Sequence, residues 1–218
     1  MPSSTHVHIS KMVDWIVRLQ PTSVLDIGIG FGKWGFLVRE YTDINAHRYQ
    51  REDWRVRIEG VEAFPEYVTP TYHYIYDQVY HGDLREVLPR LTTYDLVIIG
   101  DVIEHFDKEV GLDLLRQLRQ KSRYILLSSP TVFFTQELFE NEFERHRSLW
   151  TVDDFKGFQF DYDEFEQWVF VALLRGELPS EHNLALDGKH SRLVYNRPLL
   201  KKHPKVAHLA KSLLHRVL

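Results

Sequence analysis

The sequence predicts an α/β protein: a doubly wound, mostly parallel seven-stranded sheet with helices on both faces, a C-terminal antiparallel β-hairpin and a basic helical tail. Three observations carry the prediction. From residue 7 to residue 130, short apolar runs alternate with amphipathic stretches, the β-α-β order that lays strands parallel. The run YDLVIIG, residues 94–100, has a continuously apolar centre, as a strand covered on both faces requires. Residues 157–176, GFQFDYDEFEQWVFVALLRG, hold two strand-like stretches with no helix between them, so they pair antiparallel at one edge.

The elements follow in order. Ile9, Met12, Val13, Ile16 and Leu19 recur at helical spacing, and Pro21 stops the helix. SVLDI, residues 23–27, is a buried strand that runs into a glycine turn and a helix from Lys33 to Tyr41. WRVRIEGVEA (54–63) gives a second strand and YIYDQVYH (74–81) a third, with a short helix from Leu84 to Leu91. After YDLVIIG comes a helix over 108–121, then the strand RYILLSS, ended by Pro130. Thr151 and Asp154 have capping-box spacing, and Trp150 and Phe155 stand where a hydrophobic staple sits, so Trp150 is expected to be structural.

Two units are expected: a domain over 1–176, and a linker with a tail over 177–218. The linker runs from Gly176 to Gly188. Val206, Leu209, Ala210, Leu213, Leu214 and Val217 make residues 205–218 an amphipathic helix with a basic opposite face, expected to pack on the body or on a second copy in a homodimer.

Composition removes several classes of function. With 218 residues, 44% of them hydrophobic and 27% charged, the chain is long enough for one full-sized core. There is no cysteine, hence no disulfide, thiolate metal site or thiol nucleophile. Neither a signal-peptide core nor an apolar run of membrane-spanning length stands out, which leads to the expectation of a cytoplasmic protein. Eight basic residues and no acid follow Gly188, leaving residues 1–187 with 19 basic against 31 acidic side chains, a net of −12. A body so acidic argues against a broad nucleic-acid surface, which would rest on phosphate neutralisation.

The turn at residues 26–33, DIGIGFGK, holds the chemistry. A phosphate loop needs Ser or Thr after the lysine, and Trp34 follows Lys33. A dinucleotide site needs G-x-G-x-x-G and an acid about 20 residues on. Here the glycines are 28, 30 and 32, and the next strand-end acid, Glu62, lies 36 residues after Asp26. An acid, G-x-G-x-G and a second acid ending the next strand resemble the class I S-adenosylmethionine-dependent methyltransferases over about residues 20–175. The resemblance implies that Asp26, Gly28, Gly30 and Gly32 form the loop under the methionine part of S-adenosyl-L-methionine. It makes Glu62, followed by Ala63, the acid for the ribose hydroxyls, and Asp83, followed by Leu84, the acid near the adenine amine. Asp101, in GDVIEHF, falls near the methyl-bearing end. Lys33, a cation in the first turn of a helix, opposes the helix dipole and calls for a compensating anion; the cofactor carboxylate is one option.

The acceptor is less defined. GDVIEHF differs from the N-P-P-Y type of amino-group methylation motif and resembles members that methylate oxygen on small molecules, glycan precursors among them. A hydroxyl must lose its proton, so His105 is the first candidate base and His146, in the loop NEFERHRS, the second. No metal centre is expected, because His6 and His8 have no accompanying carboxylates. Two alternatives stay open: an RNA methyltransferase that uses the basic tail, and a non-catalytic relative that binds the cofactor.

Overall fold

A computed structural model describes residues 5–67, 69–133, 141–165, 168–182, 184 and 186. The tail helix expected over 205–218 lies outside the described residues. Seven strands form one sheet: β1 (Ser23–Ile27), β2 (Arg57–Glu62), β3 (Gln78–His81), β4 (Tyr94–Gly100), β5 (Ser122–Pro130), β6 (Phe160–Phe165) and β7 (Val169–Arg175). Their spatial order is β3-β2-β1-β4-β5-β7-β6. The first five are parallel, and β7 runs antiparallel to both β5 and β6. The strand order therefore reverses between β1 and β4, and ligands of doubly wound sheets bind outside the strand C-termini at such a reversal.

The helices are α1 (Ile9–Leu19), α2 (Lys33–Thr42), α3 (Pro70–Ile75), α4 (Leu84–Val87) and α5 (Lys108–Gln120). One sheet face packs on Met12, Trp15 and Ile16 of α1, Trp34 and Val38 of α2, and Tyr72 and Ile75 of α3. The other packs on Leu84 and Val87 of α4, on Leu114, Leu115 and Leu118 of α5, and on Trp150 and Phe155. Burial at 25–30 cal/mol per Å² makes these two layers the main favourable term of the fold.

Two expectations are corrected. YIYDQVYH is not one strand: Pro70, at the first helical position, opens α3, which runs to Ile75, and β3 keeps only residues 78–81. The helix from Leu84 ends at Val87 and tightens into a 3₁₀ turn over Leu88–Arg90, since Pro89 removes a backbone donor. The start of the expected linker is tied to the body: Glu177 N–H donates to Arg119 O at 2.8 Å, and the His182 ring meets Leu19 O at 2.8 Å. The capping box forms, with Asp154 accepting from Thr151 N–H at 2.7 Å, and Trp150 stacks on Phe155 with ring centroids 5.9 Å apart.

Candidate active site

A cleft of about 330 Å³ opens over the C-terminal ends of β1, β2 and β4. Its floor is the glycine turn. Gly28, Gly30 and Gly32 all have positive φ (71°, 56° and 84°), a conformation in which a side chain is strained. At Gly28 a Cβ would also run into the Val102 side chain. Backbone bonds hold the turn: Gly28 N–H donates to Val61 O at 2.9 Å, and Tyr72 Oη donates to Gly30 O.

Asp26 lies under this loop and is fully buried, away from the cleft wall. Its Oδ2 accepts from Gly35 N–H at 3.1 Å and Tyr76 Oη at 2.6 Å, so it anchors the first turn of α2. Burial pushes its carboxyl up to about 7, against the opposing pull of those two donors. Its carboxylate is outside the cleft lining and holds in place the loop that the glycines form.

Glu62 ends β2 with its carboxylate on the cleft. Gly30 and Phe64 each donate a backbone N–H to it at 2.9 Å, one per oxygen. The Ala63 backbone N–H bonds it as well, and since a carboxylate has about four lone-pair sites, acceptor capacity toward the cleft remains. Burial raises its pKa, with the nearby Glu144 adding to the effect. Ala63 and Leu84 line the same wall. Asp83 also lines it, and caps α4: its Oδ1 accepts from Arg85 N–H at 2.8 Å, while the Arg85 guanidinium grips both oxygens at 2.9 and 2.6 Å. That grip holds the Asp83 carboxyl below its ordinary range.

The far end is built on the turn after β4. Asp101 has φ 55°, a left-handed conformation that Asp tolerates better than most residues. Asp101 N–H donates to Ser128 O at 3.0 Å, and Ser128 Oγ donates to Asp101 Oδ1 at 2.8 Å, which fixes the turn to β5. Asp101 is also the charge that offsets Lys33, whose pKa burial lowers. His8, buried at the start of α1 with its ring 5.8 Å from Trp34, feels both charges.

Residues 141–148 fold back over this end. Arg147 and Ser148 N–H donate to Glu104 O at 2.8 and 3.1 Å, and Tyr67 Oη donates to Glu144 Oε1 at 3.1 Å. Trp150 Nε1 donates to Ser148 Oγ at 2.8 Å, which ties the segment to the core. His146 is thereby brought against His105, with ring centroids 5.0 Å apart. Burial lowers both imidazole pKa values, that of His146 to about 4 with His105 contributing, so both rings favour the neutral form at pH 7. Burial raises Glu104 far above the usual carboxylate range, and Asp101 adds to this. The sequence points to His105 and His146 separately, and the structure joins them across 41 residues. Glu144 belongs to the loop NEFERHRS that the sequence points to, whereas Tyr67 escapes sequence reasoning because no local pattern marks it.

No family model matches the chain, and no curated protein matches it in sequence. Solved structures do. The N-terminal domain of EvdMO1, crystallised in the presence of SAH (S-adenosylhomocysteine) and D-fucose, superposes with a TM-score of 0.55 at 14% identity over 80% of this chain and 84% of that one. The chain has the class I methyltransferase fold. Two further structures share that fold. An O-methyltransferase family protein from Burkholderia thailandensis gives TM-score 0.51 and 11% identity over 77% of this chain and 56% of its own length. Magnesium protoporphyrin IX methyltransferase (ChlM) from Synechocystis PCC 6803, with SAH bound, gives 0.50 and 17% over 77% and 81%. Within this fold, the cleft lies where strand order reverses, between the glycine turn and the paired histidines.

Proposed function

We propose that the chain is an S-adenosylmethionine-dependent methyltransferase acting on a hydroxyl oxygen of a small molecule, a sugar or glycan precursor being the acceptor class best supported. The observation that carries the reading is the joining, in one cleft, of a glycine turn with a buried, cleft-facing carboxylate at one end and the imidazole of His105, backed by that of His146, at the other.

The residues fit the cofactor. Gly28 and Gly30 allow a ligand to lie against backbone, Gly32 turns the chain behind them, and Glu62 keeps acceptor capacity for the ribose hydroxyls. Ala63, Leu84, Phe106 and Val110 supply an apolar wall beside Asp83, suited to a purine. Both Asp83 oxygens are already held by Arg85, so an adenine amine would share an occupied acceptor. When bound, the cofactor supplies an activated methyl group on a sulfonium. Carboxylates suit that cation, and Asp101 is one that lines the cleft toward the acceptor end.

Methyl transfer is an in-line displacement, so positioning supplies much of the rate. The acceptor oxygen must also lose a proton, and a neutral imidazole at His105 or His146 can take it. D-fucose in the crystals of EvdMO1 supports a sugar hydroxyl as the acceptor. Glu62 makes a purely structural cleft a poorer account, because backbone donors alone hold a buried carboxylate that still lines the cleft.

Calorimetry with S-adenosylmethionine and with S-adenosylhomocysteine is the direct test, followed by incubation with labelled cofactor and a metabolite pool. Binding of both, and label appearing in a hydroxylated small molecule, is the expected result. Absence of cofactor binding overturns the reading, and label entering RNA with a steep salt dependence replaces the acceptor.

A further inference from the structure

Proton transfer does not account for all the groups at the acceptor end of the cleft. Glu104, His105 and His146 each offer one ligand atom, and these atoms lie within 4.8 Å of one another. Glu104 is 2% exposed and His146 8%. Glu104 Oε2 and His105 Nδ1 are both buried without a hydrogen-bond partner. Buried polar atoms are costly to leave bare, and here two of them face one small space from different side chains. We propose that Glu104, His105 and His146 form a binding site for a divalent transition-metal ion.

The donor set selects the ion. Two imidazoles and one carboxylate suit Zn²⁺, Mn²⁺, Fe²⁺ or Co²⁺, whereas Mg²⁺ and Ca²⁺ prefer oxygen alone. Donors about 2.1 Å from a metal stand on the order of 3 Å apart, so the three side chains need only a small closing rotation. Their backbones are already held. Arg147 and Ser148 N–H clamp the Glu104 carbonyl, and the His105 ring hydrogen-bonds to the backbone of Arg145. A backbone partner on a ligating imidazole is the usual device for fixing its ring. Three protein ligands leave coordination positions open, and one of the three, His105, lines the cleft beside Asp101 and Glu144.

Metal binding stands on this geometry alone; the role that follows rests on the methyltransferase reading. An acceptor hydroxyl bound at an open position loses its proton to solvent more readily, because the metal lowers its pKa. The oxygen lone pair then forms the new C–O bond as the S–CH₃ bond breaks, its electron pair passing to sulfur. The products are a methyl ether, the thioether and one proton.

The test uses the full-length chain, stripped with chelator and titrated with Co²⁺ and Mn²⁺ in the absence of cofactor. One ion per chain by calorimetry, with Co²⁺ absorbing in the visible, is expected. Glu104→Gln and His146→Ala should each weaken binding on the order of 100-fold. A His203→Ala/His208→Ala/His215→Ala variant should bind as the parent does, because its histidines lie in the tail. Circular dichroism and S-adenosylhomocysteine affinity report whether each variant is folded. If one variant fails to fold, the other and the parent's own stoichiometry and spectrum decide. No stoichiometric ion in the parent, or binding unmoved by Glu104→Gln and His146→Ala, overturns the proposal. Cofactor binding without metal leaves the methyltransferase reading standing and removes the metal; metal without cofactor does the reverse.

Discussion

At one end of the cleft the contacts are made by backbone. Gly28, Gly30 and Gly32 turn the chain with positive φ, Gly30 N–H bonds Glu62, and Asp26 fastens the helix that follows. At the other end they are made by side chains from distant segments: Asp101, Glu104 and His105 after β4, and Glu144 and His146 from the segment over 141–148. The difference teaches how the two halves are specified. A backbone cradle needs residues in one stretch of chain, and it can serve a cofactor of fixed chemistry. A side-chain cluster is assembled by tertiary folding, and it can be re-cut for different acceptors without disturbing the cradle.

If the two ends are functionally separate, a change at one should leave the other intact. The largest separation is expected for His105→Ala. Loss of a proton acceptor or of a metal ligand at the acceptor end should lower turnover by roughly 10²–10⁴. The dissociation constant for S-adenosylhomocysteine should stay within about threefold, because no contact in the cradle is lost. Steady-state kinetics beside calorimetry measures both quantities. A variant with full turnover returns His105 to a packing role, and one that loses cofactor affinity equally breaks the division.

The reverse test is Glu62→Ala. Two charge-assisted acceptors for the ribose hydroxyls disappear, and Gly30 N–H loses its partner. Cofactor affinity should fall by about 2–4 kcal/mol. An unchanged dissociation constant would falsify the role given to Glu62. Thermal unfolding of the variant shows how much of any loss comes from a loosened loop.

The same division explains what was legible in the sequence. The strand order, the terminal hairpin and the cradle residues Gly28, Gly30, Gly32 and Glu62 announce themselves through glycine spacing and strand-end acids, which are local signals. The strand expected over 74–81 starts too early, because the aromatic run around Tyr74 has β-like composition while Pro70 opens a helix that runs to Ile75. The spacing in DIGIG marks Asp26, but nothing local reveals that Tyr76, 50 residues on, donates to it from the buried side. The pairing of His105 with His146 depends on Arg147 and Ser148 bonding the Glu104 carbonyl, a tertiary event with no sequence period. The same gap hid the Glu104 cluster and underlay the expectation of no metal centre.

Asp26 itself offers a test of the cradle through pH. Its folded-state pKa is raised from 3.8 to about 7, burial being the largest cause, so the fold favours the neutral acid. The stability it contributes is complete below about pH 4 and is lost as pH rises toward 7, at no more than about 1.4 kcal/mol per pH unit. Asp26→Asn removes the titration while keeping an acceptor for Gly35 N–H and Tyr76 Oη. Urea unfolding at pH 5, 6 and 7 should therefore show the parent losing stability relative to the variant as pH rises. Parallel curves for the two proteins would remove Asp26 as the source.

The smallest expected effect concerns what holds the acceptor end in place. Asp154 Oδ2 accepts from Thr151 N–H and from Lys108 Nζ, each at 2.7 Å, so it joins the turn after Trp150 to α5. Lys108 in turn lies 4.2 Å from the Trp150 ring centroid. Because the pair is partly exposed, solvent screens it, and Asp154→Ala should cost only about 1 kcal/mol of unfolding free energy, chiefly the lost cap. Trp150 is fully buried against Phe155 and should hold the segment in register regardless. Turnover in Asp154→Ala should consequently stay within about twofold of the parent at 25 °C, with a slightly lower melting temperature. A large loss of turnover at unchanged cofactor affinity would mean that the cap, rather than the Trp150 anchor, sets His146 against His105.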